Sequence, residues 1–216
     1  MTRQFHQEME RLRLRVQEHG QMARRSLAEG MKALAEDDAP GAQAVVRRGE
    51  ALNRLDVEIE RDALDLLALN QPMAQDLRTI GASLKIITYL DRIGRYGYDL
   101  AKIVLETDHA IPPAQIKLLG AMADGALNML DIALASYRDI DADQARSVAA
   151  HDDVVDRLFD DTYNACIDGM QKDPKSIPGL GHAILAARHL ERAGDNAQKI
   201  AEKVLYMVTG ERRLAV

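Results

Sequence analysis

Residues 190–200 decide how this chain folds, and they read Leu190-Glu191-Arg192-Ala193-Gly194-Asp195-Asn196-Ala197-Gln198-Lys199-Ile200. At 100° per residue, Leu190, Ala193 and Ala197 share one side of a helix. Glu191 and Asp195 lie one turn apart on another side. The segment therefore predicts an amphipathic helix with an apolar face toward a core and a narrow acidic edge.

A closely similar segment occurs 100 residues earlier. Leu90-Asp91-Arg92-Ile93-Gly94 matches Leu190-Glu191-Arg192-Ala193-Gly194 almost residue for residue. Carboxylates of the preceding helices recur at the same offset, as the pairs Asp56 with Asp156 and Glu60 with Asp160. This recurrence indicates an internal repeat.

Helical periodicity runs along the whole chain and is interrupted at Pro and Gly. The predicted helices span about residues 5–36, 42–69, 72–108, 113–137, 142–171 and 179–209. No segment shows the alternation of a strand, so the sequence predicts an all-α protein of six helices in two repeats, 1–110 and 111–216. The third helix contains Gly81, Gly94 and Gly97, for which close helix packing is the favoured explanation.

Composition narrows the class of protein. A formal net charge of -6 with interspersed signs argues against a nucleic-acid binder. The single Cys166 cannot form an intrachain disulfide, and a charged N-terminus with no long apolar run predicts neither a signal peptide nor a transmembrane segment. We therefore expect a cytoplasmic protein.

Acidic side chains of the second repeat form the main candidate site. Two carboxylates about 5 Å apart repel by ~3 kcal/mol at an effective dielectric near 20, so a convergent group needs protonation, basic neighbours or a cation. An all-oxygen site favours hard ions such as Mg, Mn, Ca or Fe, with Zn a weaker candidate. The candidate metal ligands are Asp152, Asp153, Asp156, Glu191 and Asp195.

The alternative to a metal site is a salt-bridged helix surface, which is how most charge-rich helices behave. Its basic partners would be Arg157, Arg188, Arg192 and Lys199. A Glu106-x-x-His109 spacing is a weak di-iron motif because it occurs once and at a helix end. No Ser or Cys nucleophile with a positioned base is evident, so the sequence gives no indication of nucleophilic catalysis by such a residue.

The segments quoted above, together with Gln71-Pro72-Met73-Ala74-Gln75-Asp76-Leu77-Arg78, resemble the PhoU family of phosphate-uptake regulators over nearly the whole chain. The resemblance implies two three-helix bundles in tandem, with metal clusters on acidic surface motifs. It also implies a cytoplasmic homodimer that acts at the inner face of the membrane without catalysis. Its expected role is negative regulation of high-affinity phosphate import, through the cytoplasmic subunit of the phosphate ABC transporter and the phosphate sensor histidine kinase.

The first repeat departs from this pattern. Its candidate ligands are Asp56, Glu60 and Asp91, but Arg95 stands where the second repeat has Asp195. We expect Arg95 to form ion pairs with these acids and to replace a metal ion there. The segment around Asp76 has no counterpart in the second repeat.

Two other functions are compatible with the sequence. One is a metal-dependent enzyme with a di-iron or di-manganese carboxylate centre inside a bundle, which would consume oxygen when loaded with iron. The other is a helical adapter without metal, which would contain no stoichiometric metal on elemental analysis.

Overall fold

The structure, a computed structural model, describes residues 3–107 and 110–211. Their helices form an all-α bundle without strands, as predicted. The helices are α1 (Arg3–Glu36), α2 (Ala39–Asn70), α3 (Ala74–Glu106), α4 (Pro113–Asp139), α5 (Ala142–Ser147), α6 (Ala149–Lys172) and α7 (Ile177–Thr209), with one 3-10 turn at Pro174–Ser176.

The third helix of each repeat is the centre of its half. α3 packs against α1 and α2, and α7 packs against α4 and α6. The two central helices also pack on each other in opposite directions, since Asp99 of α3 lies near His189 of α7 while Arg78 reaches Met207. The buried apolar residues form one continuous core across both halves.

The predicted fifth helix is broken into α5 and α6 at Val148. The Ser147 hydroxyl donates to the Gln144 carbonyl at 2.7 Å, and the Val148 N–H donates to the Ala145 carbonyl at 3.3 Å. These short-range bonds replace the regular helical ladder. The fully buried Val148 side chain fixes the break against the core.

The glycines of α3 behave in two ways. A Cβ at Gly97 would collide with the backbone of Ser26 on α1, and one at Gly94 would collide with the Leu52 side chain on α2. Both glycines therefore allow close helix packing, as predicted. Gly81 does not fit that explanation, because a Cβ there would meet nothing within 4 Å.

By length and composition α4 is apolar enough to cross a membrane, which differs from the expectation for this sequence. It is a core helix in this fold, in contact with α1, α6 and α7. Its apolar character follows from burial of residues such as Leu119, Met122 and Leu130.

Polar and aromatic contacts join the two halves. The Ser83 hydroxyl on α3 hydrogen-bonds the Tyr137 hydroxyl on α4 at 2.6 Å in the core, where burial raises the pKa of Tyr137 to about 12. The Arg78 guanidinium donates to the Met207 carbonyl at 3.3 Å, near Gly210, which ends α7 with φ 75°. The His189 ring stacks on Tyr96, with centroids 5.8 Å apart.

Candidate functional site

The five predicted acids of the second repeat lie together on the surface formed by α6 and α7, and we call them the second acidic cluster: Asp152, Asp153, Asp156, Glu191 and Asp195. Burial raises the pKa of Asp152 to about 6, and the four other carboxylates add to the rise. The four other carboxylates therefore lie near Asp152, and the role of the five acids as metal ligands stays a prediction.

Glu191 of the second acidic cluster is largely enclosed, with 15% of its side chain exposed. Arg188 Nη1 donates to its Oε1 at 2.8 Å, while Oε2 is buried and has no hydrogen-bond partner in the described ranges. Burial and the nearby Asp195 raise the pKa of Glu191, and Arg188 opposes this rise. One carboxylate oxygen is thus left facing other acids without a donor.

Arg188 also confirms part of the salt-bridge alternative. Its guanidinium lies 5.5 Å from the centre of the Phe159 ring, which holds it beside Glu191. Across the described residues, Arg157, Arg192 and Lys199 form no ion pair with this cluster. The cluster is therefore only partly neutralised by the protein.

The first acidic cluster consists of Asp56 and Glu60 on α2 and Asp91 on α3. Burial raises the pKa of Asp56, followed by repulsion from Asp91 and Glu60. Asp56 Oδ1 is buried and lacks a partner in the described part of the chain. Each repeat thus contains one buried carboxylate oxygen that nothing in the described chain satisfies.

The expected ion pairs of Arg95 are not formed. Between residues 3–107 and 110–211, no salt bridge joins Arg95 to Asp56, Glu60 or Asp91, and Arg95 is exposed. It lines a cleft of about 360 Å³ that also contains Asn53, Asp91 and Tyr98. Arg95 therefore does not neutralise the first acidic cluster through an ion pair.

Neither cluster is arranged as a ready metal site. Within the described chain, no group of three or more His, Cys, Asp or Glu side chains is close enough to hold an ion. The donor set still suits a hard cation, because the ligands are carboxylates and one oxygen in each cluster is buried without a donor. Side-chain rotation within each cluster would be needed to close a coordination sphere.

The other predicted motif residues lie apart from these clusters. Glu106 ends α3 and pairs with Lys102 at 3.0 Å, whereas His109 lies outside the described residues. Sequence reasoning missed the contact between His189 and Asp99, whose atoms Nδ1 and Oδ2 are 4.0 Å apart. The available signal was a difference between the repeats, since the counterpart of Asp99 is Lys199.

The fold and the site define a class of all-helical proteins with a third helix at the centre of each half and acidic clusters on the surface. The PhoU domain matches this sequence twice, at residues 16–104 and 119–204. The chain therefore belongs to the PhoU domain family.

Full-length relatives and solved structures agree with this assignment. The chain is 35% identical over 214 residues to the phosphate-specific transport system accessory protein PhoU homolog of Caulobacter vibrioides, covering 97% of this chain and 92% of the relative. It is 28% identical to the homolog of Clostridium acetobutylicum, with 98% of each chain covered. The crystal structure of PhoU from Pseudomonas aeruginosa superposes with a TM-score of 0.88 at 30% identity, covering 96% of this chain and 100% of that one. The PhoU structure from Streptococcus pneumoniae gives 0.89 at 28% identity, with 98% and 100% covered.

Proposed function

We propose that this chain is an accessory protein of phosphate transport that negatively regulates high-affinity phosphate uptake and phosphate-starvation signalling. The observation that carries the proposal is the double PhoU match, because it spans both repeats and because relatives over nearly the whole chain are named phosphate-specific transport system accessory proteins. The regulator acts by contact with the cytoplasmic subunit of the phosphate ABC transporter and with the phosphate sensor histidine kinase. It works as a cytoplasmic homodimer held at the inner face of the membrane through these partners.

The arrangement of polar groups supports a regulator over a bundle enzyme. A di-iron or di-manganese enzyme places its carboxylates inside one bundle. In the described chain, the buried polar side chains are His19, Thr79, Ser83, Gln115, Ser136, Thr162 and Asn196, none of which is a carboxylate. The acids lie instead at helix surfaces, where they can meet an ion or a partner.

A metal ion forms part of the proposal. The second acidic cluster would hold it through oxygens of its five carboxylates, and the ion would supply the positive charge that the cluster lacks. The buried and unpartnered Glu191 Oε2 supports this assignment. Iron, manganese and magnesium suit an all-oxygen donor set, with zinc a weaker candidate.

The proposal is tested by deleting the gene and measuring phosphate uptake under phosphate-rich conditions. We expect uptake and the expression of phosphate-starvation genes to rise, and the full-length chain supplied in trans to reverse both changes. A second deletion that also removes the transporter is the control, because it should abolish the rise in uptake. Unchanged uptake and unchanged gene expression would refute the regulatory role.

Two measurements separate the metal-dependent alternatives. Elemental analysis of the native protein should find a stoichiometric metal, and its absence would favour a metal-free adapter. Oxygen consumption by the iron-loaded protein would favour the enzyme, whereas the regulator should consume none.

A further inference from the structure

A cleft of about 410 Å³ lies between the two central helices, α3 and α7. It is larger than the cleft of about 360 Å³ beside the first acidic cluster. Sites for small molecules commonly lie in such grooves and have volumes of about 300–1,000 Å³. We call it the inter-repeat cleft, and its walls include Gly81, Lys85 and Tyr89 on α3 with Glu202, Lys203 and Tyr206 on α7.

Gly81 leaves part of the α3 wall of the inter-repeat cleft without a side chain. This glycine is exposed, and a Cβ there would meet nothing within 4 Å, so helix packing does not require it. A glycine inside a helix is less favourable than an alanine at the same position. It does let a ligand approach the backbone of α3 closely.

Two lysines reach the inter-repeat cleft from opposite walls, Lys85 from α3 and Lys203 from α7. Neither ammonium group forms an ion pair or a hydrogen bond in the described chain. Arg78 stands at the edge of the cleft, because its Cζ would lie 3.6 Å from a Cβ at Gly210, the neighbour of the lining residue Glu211. Arg78 also has no carboxylate partner in the described ranges. Three cationic groups are thus available to an anion.

Two carboxylates also line the inter-repeat cleft, those of Glu202 and Glu211. In the described residues neither is paired with Lys85 or Lys203, so the opposite charges of the cleft are held apart. A compact anion such as inorganic phosphate would meet the acids as well as the lysines. A longer ligand can place an anionic group between the lysines and hydroxyl donors on the carboxylates.

Two tyrosine rings complete the walls, Tyr89 on α3 and Tyr206 on α7. Both side chains are half-buried, and within residues 3–107 and 110–211 neither ring stacks on another ring. Aromatic residues are scarce in this chain, which has six tyrosines, two phenylalanines and no tryptophan. Two of them on opposite walls of one cleft provide flat surfaces on which a nucleobase can stack.

The equivalent positions 100 residues away lack this combination of side chains. Gly181 corresponds to Gly81, and a Cβ there would also meet nothing within 4 Å. The positions of Lys85, Tyr89, Lys203 and Tyr206 are occupied by Leu185, His189, Ile103 and Glu106, respectively. The open wall is therefore shared by both repeats, whereas the two lysines and two tyrosines come together at one of the two sets of positions.

We propose that the inter-repeat cleft binds a nucleotide. Lys85 and Lys203 hold its phosphate, the tyrosine rings hold its base, and the carboxylates accept hydrogen bonds from its ribose hydroxyls. Three basic groups against two acids favour a ligand with net negative charge over a zwitterion. This inference is independent of the proposed function, because it concerns the purified chain without a partner.

The test titrates the full-length protein with AMP, ADP and ATP in a calorimeter. The buffer contains EDTA, so that no metal ion at the acidic clusters can bridge to a phosphate. Inorganic phosphate, adenosine and tryptophan are titrated for comparison. The first lacks a base, the second lacks a phosphate, and the third is a zwitterion with an aromatic ring.

Two pairs of variants separate charge from stacking. Lys203→Gln removes a cleft charge, and its matched control is Lys199→Gln, since Lys199 is exposed one turn earlier on α7 and does not line the cleft. Tyr206→Leu removes a ring, and Tyr206→Phe retains it. Lys85→Gln tests the opposite wall. Thermal unfolding without ligand shows that each variant is folded.

We expect at least one of the nucleotides to bind about tenfold or more tightly than inorganic phosphate, adenosine or tryptophan, because each of these makes only part of the contacts. Lys85→Gln, Lys203→Gln and Tyr206→Leu should each weaken nucleotide binding by about tenfold. Lys199→Gln and Tyr206→Phe should bind like the wild type. The nucleotide should also raise the unfolding temperature of the wild type more than that of Lys203→Gln.

Several results would overturn this inference. The wild type could bind none of the three nucleotides, or Lys199→Gln could lose as much affinity as Lys203→Gln. Equal affinity for inorganic phosphate would show a simple anion site, and equal affinity for adenosine or tryptophan would show that the lysines do not select a phosphate. The regulatory function is tested separately by gene deletion, so it stands or falls independently of these titrations.

Discussion

The two acidic clusters share a repeat pattern but differ in how much charge they concentrate. The second cluster assembles five carboxylates and raises the pKa of Asp152 to about 6. In the first cluster, burial raises the pKa of Asp56, and its two neighbours Asp91 and Glu60 add to the rise. Both repeats thus have acids at equivalent helix positions. Single substitutions at neighbouring positions determine how strongly those acids repel one another.

Metal titration tests most directly whether the two acidic clusters differ in metal binding. We expect Asp195→Ala to weaken the binding of Mn²⁺ or Fe²⁺ by about 100-fold or more, and Asp91→Ala to change it little. The reason is the number of carboxylates, because four act on Asp152 in the second cluster and two act on Asp56 in the first. Arg95 does not contribute to this difference, since across the described residues it forms no ion pair with the first cluster. Calorimetric titration of both metal-free variants decides the matter. Equal losses would mean that the two clusters bind metal alike.

The packing of the two repeats differs as well, and Gly97→Ala tests it. Its counterpart is already Ala197, but a Cβ at Gly97 would strike the backbone of Ser26, which cannot rotate away. We expect the free energy of unfolding to fall by about 2–3 kcal/mol.

Gly81→Ala is the matched control for Gly97→Ala, since it makes the same change in the same helix. Its Cβ meets nothing within 4 Å, so the variant should gain about 0.5–1 kcal/mol of stability from helix propensity. Urea denaturation measures both variants. A tolerated Gly97→Ala would show that the contact between α1 and α3 is looser than described.

Replacing one carboxylate in each cluster by a neutral amide tests how strongly the carboxylates of that cluster repel one another. In metal-free protein at pH 7.5, we expect Asp152→Asn to raise the free energy of unfolding by about 1 kcal/mol, after allowance for solvent screening. Asp56→Asn should raise it less, because fewer acids act on that group. Guanidinium denaturation in the presence of EDTA gives both values.

The effect of Asp152→Asn should depend on pH. The pKa of Asp152 is about 6 in the folded protein and near 3.8 when unfolded, so its destabilising effect is complete above pH 6. Between pH 6 and pH 4 the folded state binds the proton first, and the wild type recovers stability. The gap between wild type and Asp152→Asn should therefore close as the pH falls. A gap that stays constant would assign the effect to packing.

The smallest effect on stability is expected at the two motif glycines, Gly94 and Gly194. A Cβ at Gly194 would lie 3.4 Å from Met129 Sδ and 3.6 Å from Val155 Cγ1, so Gly194→Ala should stabilise by about 0.5 kcal/mol. At Gly94 the Leu52 side chain would have to rotate, and we expect no gain or a small loss. Thermal unfolding of the two variants compares them, and a larger gain at Gly94 would contradict the difference in packing.

The fold was largely predictable from the sequence because helical periodicity and the breaks at Pro and Gly are local signals. The break at Val148 was missed because it consists of one short-range backbone hydrogen bond, from the Val148 N–H to the Ala145 carbonyl, which periodicity does not report. The wrong explanation for Gly81 has a similar cause, since close packing depends on the neighbouring helix and not on the glycine itself.

The acidic clusters were found because helical spacing places their members on one edge. The orientation of Arg95 could not be predicted, because a long exposed side chain has many rotamers and solvent competes for its charge. The contact between Asp99 and His189 joins residues 90 positions apart and follows from how the repeats meet. Whether residues 50–107 superpose on 150–207 remains a prediction for direct measurement.

The antiparallel pairing of α3 with α7 has an evolutionary consequence. Equivalent helices of two repeats meet through equivalent faces, as do the subunits of a symmetric dimer. A gene for one repeat would thus encode a three-helix protein that pairs with its own copy, and duplication with fusion would yield the present chain. Fusion releases each copy from the demand that both sides of the contact be identical. On one side of the contact, Asp99 lies beside His189. The equivalent positions on the other side are Lys199 and Tyr89, and such a history permits this divergence.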